Sequence, residues 1–183
     1  MTVPSTSAPT LAIRRATLSD LQRVVVLEHD CFASPWPTWM IRQELAGEDS
    51  VWLVAESGGE VAGYLGLRMA AEEGHVSTVG VATELRGQGL GEALMLAALD
   101  LALRCDCDCV VLEYRIGNEP AARLYAKLGF ERTRIRRGYY QDNGEDAVEV
   151  ILPELLTTPR REALADLFAR WEVQHGQPVP RVQ

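Results

Sequence analysis

Apolar residues along this chain recur in two rhythms, and the switches between them outline alternating strands and helices. Ile13 opens a short apolar segment that reads as a strand. Thr17 and Asp20 then stand three apart ahead of an apolar run, the spacing of a capping-box helix start. Leu21, Val24, Val25 and Glu28 carry that helix to about Phe32, where Pro35 and Pro37 break it. Residues 38–46 read as a second short helix. Two alternating runs, 51–56 and 61–69, flank Ser57-Gly58-Gly59, which is a hairpin signal. Residues 75–81 form a β-branched run that gives way through glycines to a helix over about 92–103. The next strand, 110–113, is expected to pair with 75–81 in parallel, because a whole helix separates them. Asn118 caps a helix over 119–128 that Gly129 stops. Residues 132–137 and 147–152 close the sheet as a second hairpin.

This order predicts one α/β domain over residues 11–153, with a mixed sheet of six to seven strands and helices on both faces. Residues 1–10 are rich in Pro, Ser and Thr and are expected to be a disordered lead. Residues 154–183 form a helical extension, in which Leu164, Leu167, Phe168 and Trp171 recur at helical spacing after Thr158-Pro159. Such a stripe must be buried, either on its own domain or against another subunit or partner. Residues 177–183 are expected to be loose, and no internal repeat is visible.

Composition narrows the classes. The 183 residues, 47% hydrophobic, suit a single domain with a sizeable core. No apolar run approaches the roughly eighteen residues of a membrane span, and the start lacks a basic-then-apolar signal, so a cytoplasmic location is expected. A net charge of −8 disfavours non-specific nucleic-acid binding, which depends on neutralising phosphates, and suits a basic partner. Cys105, Cys107 and Cys109 alternate with Asp106 and Asp108, unlike the paired Cys-x-x-Cys of zinc sites. Reduced thiols are the expectation, with a soft-metal or redox role as the alternative. Cys31 reads as core.

The candidate chemistry begins at Arg86-Gly87-Gln88-Gly89-Leu90-Gly91, which lies at the strand-to-helix junction. Glycines there let the backbone approach a bulky anion, and the unpaired first amides of the helix bind its oxygens. A P-loop would need a Lys after the last glycine, and none follows Gly91. The dinucleotide fingerprint would put its third glycine at Glu92 or Leu94, although Glu113 lies about twenty residues on, where a ribose-binding carboxylate would stand. A third design, Arg/Gln-x-x-Gly-x-Gly/Ala, fits at Arg86, Gly89 and Gly91.

That third design resembles the pyrophosphate motif of the GCN5-related N-acetyltransferases, which use acetyl-CoA. Further segments resemble one branch, the RimI-type ribosomal-protein N-terminal alanine acetyltransferases. They are Cys31-Phe32-Ala33-Ser34-Pro35-Trp36, Leu112-Glu113-Tyr114-Arg115-Ile116-Gly117-Asn118, Leu124-Tyr125-Ala126-Lys127-Leu128-Gly129-Phe130, and Arg136-Arg137-Gly138-Tyr139-Tyr140 with Glu145-Asp146-Ala147. The resemblance implies the acyl-CoA N-acyltransferase fold and acetyl-CoA as donor, with no metal. It also implies the N-terminal peptide of a basic protein, such as a ribosomal protein, as acceptor, with no direct nucleic acid and no membrane. The oligomeric state stays open.

Acetyl transfer to an amine needs a held donor, a deprotonated amine, a stabilised oxyanion and a proton for the leaving thiolate. An α-amine titrates near about 7.7–8.0, so a moderate base suffices. On spacing alone Glu113 is a strand-end carboxylate paired with a nearby arginine, and the resemblance makes it the base. An ordinary glutamate is a weak acceptor for this task, so a raised pKa, a bridging water, or both are expected. Tyr125 lies in the apolar stripe Ala121, Leu124, Tyr125, Leu128 and reads as core, while the resemblance makes it the acid. The Val81 amide is the expected oxyanion donor. Val79, Gly80 and Val81 are expected to run along the pantetheine, and Gly87, Gln88, Gly89, Leu90, Gly91 and Glu92 to hold the pyrophosphate. Asn118 is expected to touch the pantetheine, cap its helix, or both.

Acceptor recognition leaves alternatives. Glu72 and Glu73 attract a positive peptide or form a solvated turn, and Tyr139 and Tyr140 shape a groove or fill core. Pro35-Trp36-Pro37 reads as a corner lining the same groove. Three positions depart from the branch: Gly117 replaces a usual serine, Tyr114 a small β-branched residue, and Gly87 a frequent basic one. Two rivals follow, an acetyltransferase for small amines or lysine side chains, and a non-catalytic CoA-binding sensor or assembly module.

Overall fold

Seven strands form one sheet: β1 (Leu11–Arg15), β2 (Ser50–Ser57), β3 (Glu60–Ala70), β4 (Glu73–Val81), β5 (Cys109–Arg115), β6 (Glu131–Tyr140) and β7 (Glu145–Leu152). They lie in the order β1-β2-β3-β4-β5-β7-β6. Among the described residues five α-helices accompany them: α1 (Leu21–Cys31), α2 (Thr38–Ala46), α3 (Leu90–Arg104), α4 (Glu119–Lys127) and, after β7, α5 (Thr158–His175). The computed structural model describes residues 10–182; the expected lead, apart from Thr10, lies outside the described residues, as does Gln183. Every strand and helix expected from the hydrophobic pattern is present. β5 and β6 run further than expected, to Arg115 and Tyr140, because charged side chains at their ends are carried on paired backbone.

Strand alternation sorts the core into two layers. Val51, Leu53 and Ala55 of β2 and Leu65 and Leu67 of β3 face α3, while Trp52, Val54 and Tyr64 face α1 and α2. Helices therefore cover both faces. Gly66 and Gly80 are glycine because aromatic rings lie against them. A Cβ at Gly66 would come within 3.0 Å of Trp52, and one at Gly80 within 2.6 Å of the Tyr64 ring.

α3 is buried almost all round, because α5 covers the side that the sheet does not, through Leu164, Leu167 and Trp171. The stripe in the extension thus packs on its own domain. The tail after α5 is not loose as expected. Val179 and Val182 are buried, and Arg104 Nη2 donates to the Val182 carbonyl at 2.8 Å. Polar composition hid this, since two valines suffice to seat an extended segment.

Ahead of α1, Asp20 is 7% exposed and accepts bonds from Arg14 (2.8 and 2.9 Å) and from the Thr17 amide (2.8 Å). The Arg14 guanidinium first, then the Thr17 amide, hold Asp20 at about 2, against burial. A carboxylate depressed in the fold stabilises it fully above its ordinary value of 3.8, and that contribution is lost as pH falls towards about 2. Asp20→Asn is expected to lower stability at neutral pH by of order 1 kcal/mol, since Arg14 is largely solvated. It should also flatten the acid loss between those values. Urea unfolding over a pH series checks both.

The pairing of β4 and β5 places the site. These strands run parallel only from Glu73↔Cys109 to Val76↔Leu112. At Ser77 a bulge interrupts the β3–β4 register, since Leu67 faces Val76 while Gly66 faces Thr78. Beyond it β4 follows β3 and β5 follows β7, so the two parallel neighbours separate. Residues 77–81 and 113–115 become the two walls of an open gap.

Candidate active site

The gap widens into a cavity of about 310 Å³, walled by Ser77, Thr78 and Val79 on one side and Glu113, Tyr114 and Arg115 on the other. Tyr125, Tyr139 and Tyr140 close it from the α4 and β6 side, and Glu28, Phe32 and Trp36 from the α1–α2 corner. Glu113 and Tyr125, the expected base and acid, therefore line one space.

Both carboxylate oxygens of Glu113 are engaged. His75 Nε2 lies 2.8 Å from Oε2, and Arg136 Nη1 donates to Oε1. The bond to His75 first, and Arg136 with it, hold Glu113 below the usual carboxylate range, although burial acts in the opposite direction. This corrects the raised pKa expected from the sequence. That expectation was drawn from what a base for an amine requires, whereas partners 38 residues before and 23 residues after Glu113 meet it only in the folded sheet. The pairing with an arginine is present as well.

Tyr125 is 6% exposed and packs between Tyr114 (ring centroids 5.6 Å) and Phe130 (5.8 Å), so it belongs to the core and borders the cavity. Burial, with Tyr140 and Tyr114 adding to it, pushes its phenol well above the ordinary value. Tyr139 and Tyr140 reach the cavity because the β6–β7 register breaks between Arg136 and Tyr140, around Gly138 at φ 58°. Arg136 lies over the Tyr139 ring at 4.6 Å and Arg115 over the Tyr140 ring at 3.9 Å, which steadies both. They line the cavity and do not fill the core.

On the other wall, the Ala82 amide donates to Ala62 of β3 at 2.8 Å. Alternation then turns the main-chain groups of Val81 and Val79 to the gap and those of Gly80 to β3. The Val81 carbonyl is taken by Arg86 Nε at 3.1 Å and faces the Cys31 thiol at 3.4 Å. Cys31 is therefore no core residue, as the sequence suggested, but a half-buried group at the mouth of the gap. It ends α1 where the chain turns into the Pro35-Trp36 corner.

The glycine loop caps α3, which begins at Leu90 with Gly89 as N-cap at φ 87°. The first helical bond runs from Ala93 to the Gly89 carbonyl, so the amides of Leu90, Gly91 and Glu92 have no partner inside the helix. Gly91 tests whether this cradle suits a diphosphate. A Cβ there would meet nothing nearer than 3.7 Å, so the chain itself does not require a glycine within the helix. Leaving that volume empty admits a ligand to the backbone. Arg86 instead bends back to β4, Gln88 Nε2 holds the Glu84 carbonyl at 3.2 Å, and the Glu92 side chain pairs with Lys127 of α4 at 2.7 Å. Asn118 Oδ1 caps α4 through the Ala121 amide at 3.2 Å.

Several expectations fall away from the site and others join it. Glu72 and Glu73 stand exposed at the opposite end of β4, beside Cys109, and form a solvated turn. The cysteines 105, 107 and 109 are free, and the described residues hold no metal-binding cluster. His75 and Glu28 went unrecognised as site residues in the sequence, and Arg136 was noted there only within a branch segment, not as the partner of Glu113. Glu28 is 1% exposed, accepts the Trp36 amide at 3.0 Å, and receives the Tyr64 hydroxyl and that of Thr78. It pins the Pro35-Trp36 corner to β3 and β4. Its signal was legible, because a glutamate stands where the apolar stripe of α1 calls for an aliphatic residue.

A mixed sheet whose parallel pair parts over a glycine-started helix is the architecture of the acyl-CoA N-acyltransferases. Within that class the chain belongs to the GNAT acetyltransferase family, whose model matches residues 21–130, and to its RimI-type branch. A Bacillus subtilis relative is 37% identical over 138 residues, covering 75% of this chain and 91% of its own length. The N-alpha-acetyltransferase RimI of Mycobacterium tuberculosis is 36% identical over 143 residues, covering 75% and 89%. The crystal structure of the ribosomal-protein-S18-alanine N-acetyltransferase of Escherichia coli superimposes with a TM-score of 0.74 at 28% identity, covering 79% of this chain and 94% of that one.

Proposed function

We propose that this chain transfers the acetyl group of acetyl-CoA to the N-terminal α-amine of a protein, with an alanine-starting ribosomal protein as acceptor. One observation carries the reading. The unpaired amides of residues 90–92, which follow β4, and Glu113 on β5 stand on the two sides of a single gap opened within the sheet, and His75 reaches Glu113 from the last paired stretch of β4. The named activity of the Escherichia coli relative supports the acceptor class.

Acetyl-CoA supplies an acetyl group activated as a thioester. The amides of Leu90, Gly91 and Glu92, with the positive end of α3, bind its diphosphate. Gly87, Gln88 and Gly89 set the loop, and Arg86 ties it to β4. Val79 and Val81 offer main-chain groups to the pantetheine, and the Val81 amide is the oxyanion donor. Asn118 fixes the start of α4 beside them.

On the acceptor side, Glu113 stays ionised and shares its proton-accepting role with His75. The bond between His75 Nε2 and Glu113 Oε2 links the two groups, so a proton taken from the amine, directly or through one water, is shared across the pair. Tyr125 donates to the leaving sulfur. Tyr139, Tyr140 and Trp36 wall the peptide groove.

Two measurements test the reading. An acceptor panel should favour alanine-starting peptides over free polyamines, aminoglycosides and peptides with blocked N-termini; equal rates would remove the peptide assignment. With the best peptide, kcat/KM should rise with pH and level off above about 8, where an α-amine is deprotonated. A continued rise towards about 10 would instead identify a lysine acceptor.

A further inference from the structure

The last turn of α5 stands over the coenzyme loop. Trp171 is 2% exposed, its indole Nε1 reaches the Gly89 carbonyl at 3.5 Å, and its ring stacks on His175 with centroids 4.2 Å apart. His175 Nδ1 donates to the Trp171 carbonyl at 2.9 Å, which fixes the imidazole. Its Nε2 edge then faces Gly89 so closely that a Cβ at that position would overlap the ring. Gly89 is the residue whose left-handed conformation turns the chain into α3.

This wall answers a physical need. Gly87 and Gly89 both have positive φ, and a Cβ at Gly87 would meet nothing within 4 Å, so beyond the exposed bonds of Arg86 and Gln88 the loop has no packing at Gly87 to hold it. Ordering such backbone on ligand binding costs conformational entropy, and fixing it beforehand removes part of that cost. α5 is itself fixed at both ends. Arg160 Nε donates to the Pro153 carbonyl at 3.1 Å near its start. Past its end, the tail runs back along α3 from the glycine loop to Arg104, which holds Val182. The helix lies beyond the residues matched by the family model, 21–130.

We propose that α5 braces the coenzyme loop and that His175 is its positioning residue, holding Gly89 so that the amides of residues 90–92 stay aimed at the diphosphate. This rests on the acetyl-CoA reading above. Acetyl-pantetheine, which carries the thioester but no diphosphate, separates the brace from general damage. In the full-length protein, His175→Ala should weaken acetyl-CoA binding about fivefold by calorimetry and raise its KM to match. kcat, and kcat/KM with acetyl-pantetheine, should stay unchanged. His175→Phe keeps a flat ring over Gly89 and should bind within about twofold of the parent.

Unchanged acetyl-CoA affinity in the alanine variant, equal losses with both donors, or a phenylalanine variant as weak as alanine would each overturn the brace. A parent protein that binds no acetyl-CoA would instead overturn the acetyltransferase reading on which it rests.

Discussion

Glu113→Gln is expected to lower kcat about a thousandfold while leaving acetyl-CoA affinity within about twofold of the parent. Glutamine keeps the shape and a hydrogen bond to each neighbour, but it cannot balance the charge of Arg136 or of a protonated His75. The loss thus falls on proton removal, not on folding or donor binding. The depressed pKa of Glu113 fixes the sign of the pH dependence. Because His75 and Arg136 hold it below the ordinary carboxylate value, it is already ionised throughout the neutral range. The acid limb of kcat/KM there reports the amine, not this carboxylate. Steady-state kinetics with calorimetry on the variant check the claim. Retained turnover would remove Glu113 from the chemistry, and a parallel loss of acetyl-CoA affinity would make it a structural ion pair.

The contrast between what the sequence disclosed and what it concealed has a physical basis. Periodicity located each strand and helix, because burial on one face or both leaves its mark every two or every three to four residues. The glycine loop was legible for a different reason, since conformations open to glycine are written in residue type. What the sequence did not disclose depends on register. The parting of β4 from β5 follows from one extra residue, Ser77, which no local pattern marks as a bulge. The meeting of His75, Glu113 and Arg136 depends on three strands aligning, and so the direction of the Glu113 shift was misjudged. Glu28 is the intermediate case. Its place in the apolar stripe of α1 could have been read as a buried carboxylate, but its partners Trp36, Tyr64 and Thr78 could not.

Tyr125→Phe is expected to lower kcat about a hundredfold, again with acetyl-CoA affinity nearly unchanged. Phenylalanine fills the same space between Tyr114 and Phe130, so packing is preserved and only the hydroxyl is lost. The raised pKa of this phenol changes the kind of acid it is. A full proton transfer to a departing thiolate, already uphill for an ordinary tyrosine, becomes more so when burial holds the proton on oxygen. The same shift keeps the hydroxyl protonated at every working pH, so it remains a donor of a hydrogen bond to sulfur. Tyr125 should therefore impose no alkaline limb on kcat below the range where the protein unfolds. Its importance should grow with the basicity of the leaving group. Thioesters of less basic thiols supply the measurement, since the penalty of Tyr125→Phe should shrink as the thiol becomes a better leaving group on its own. A penalty independent of the thiol would return this residue to the core, where its spacing alone had placed it.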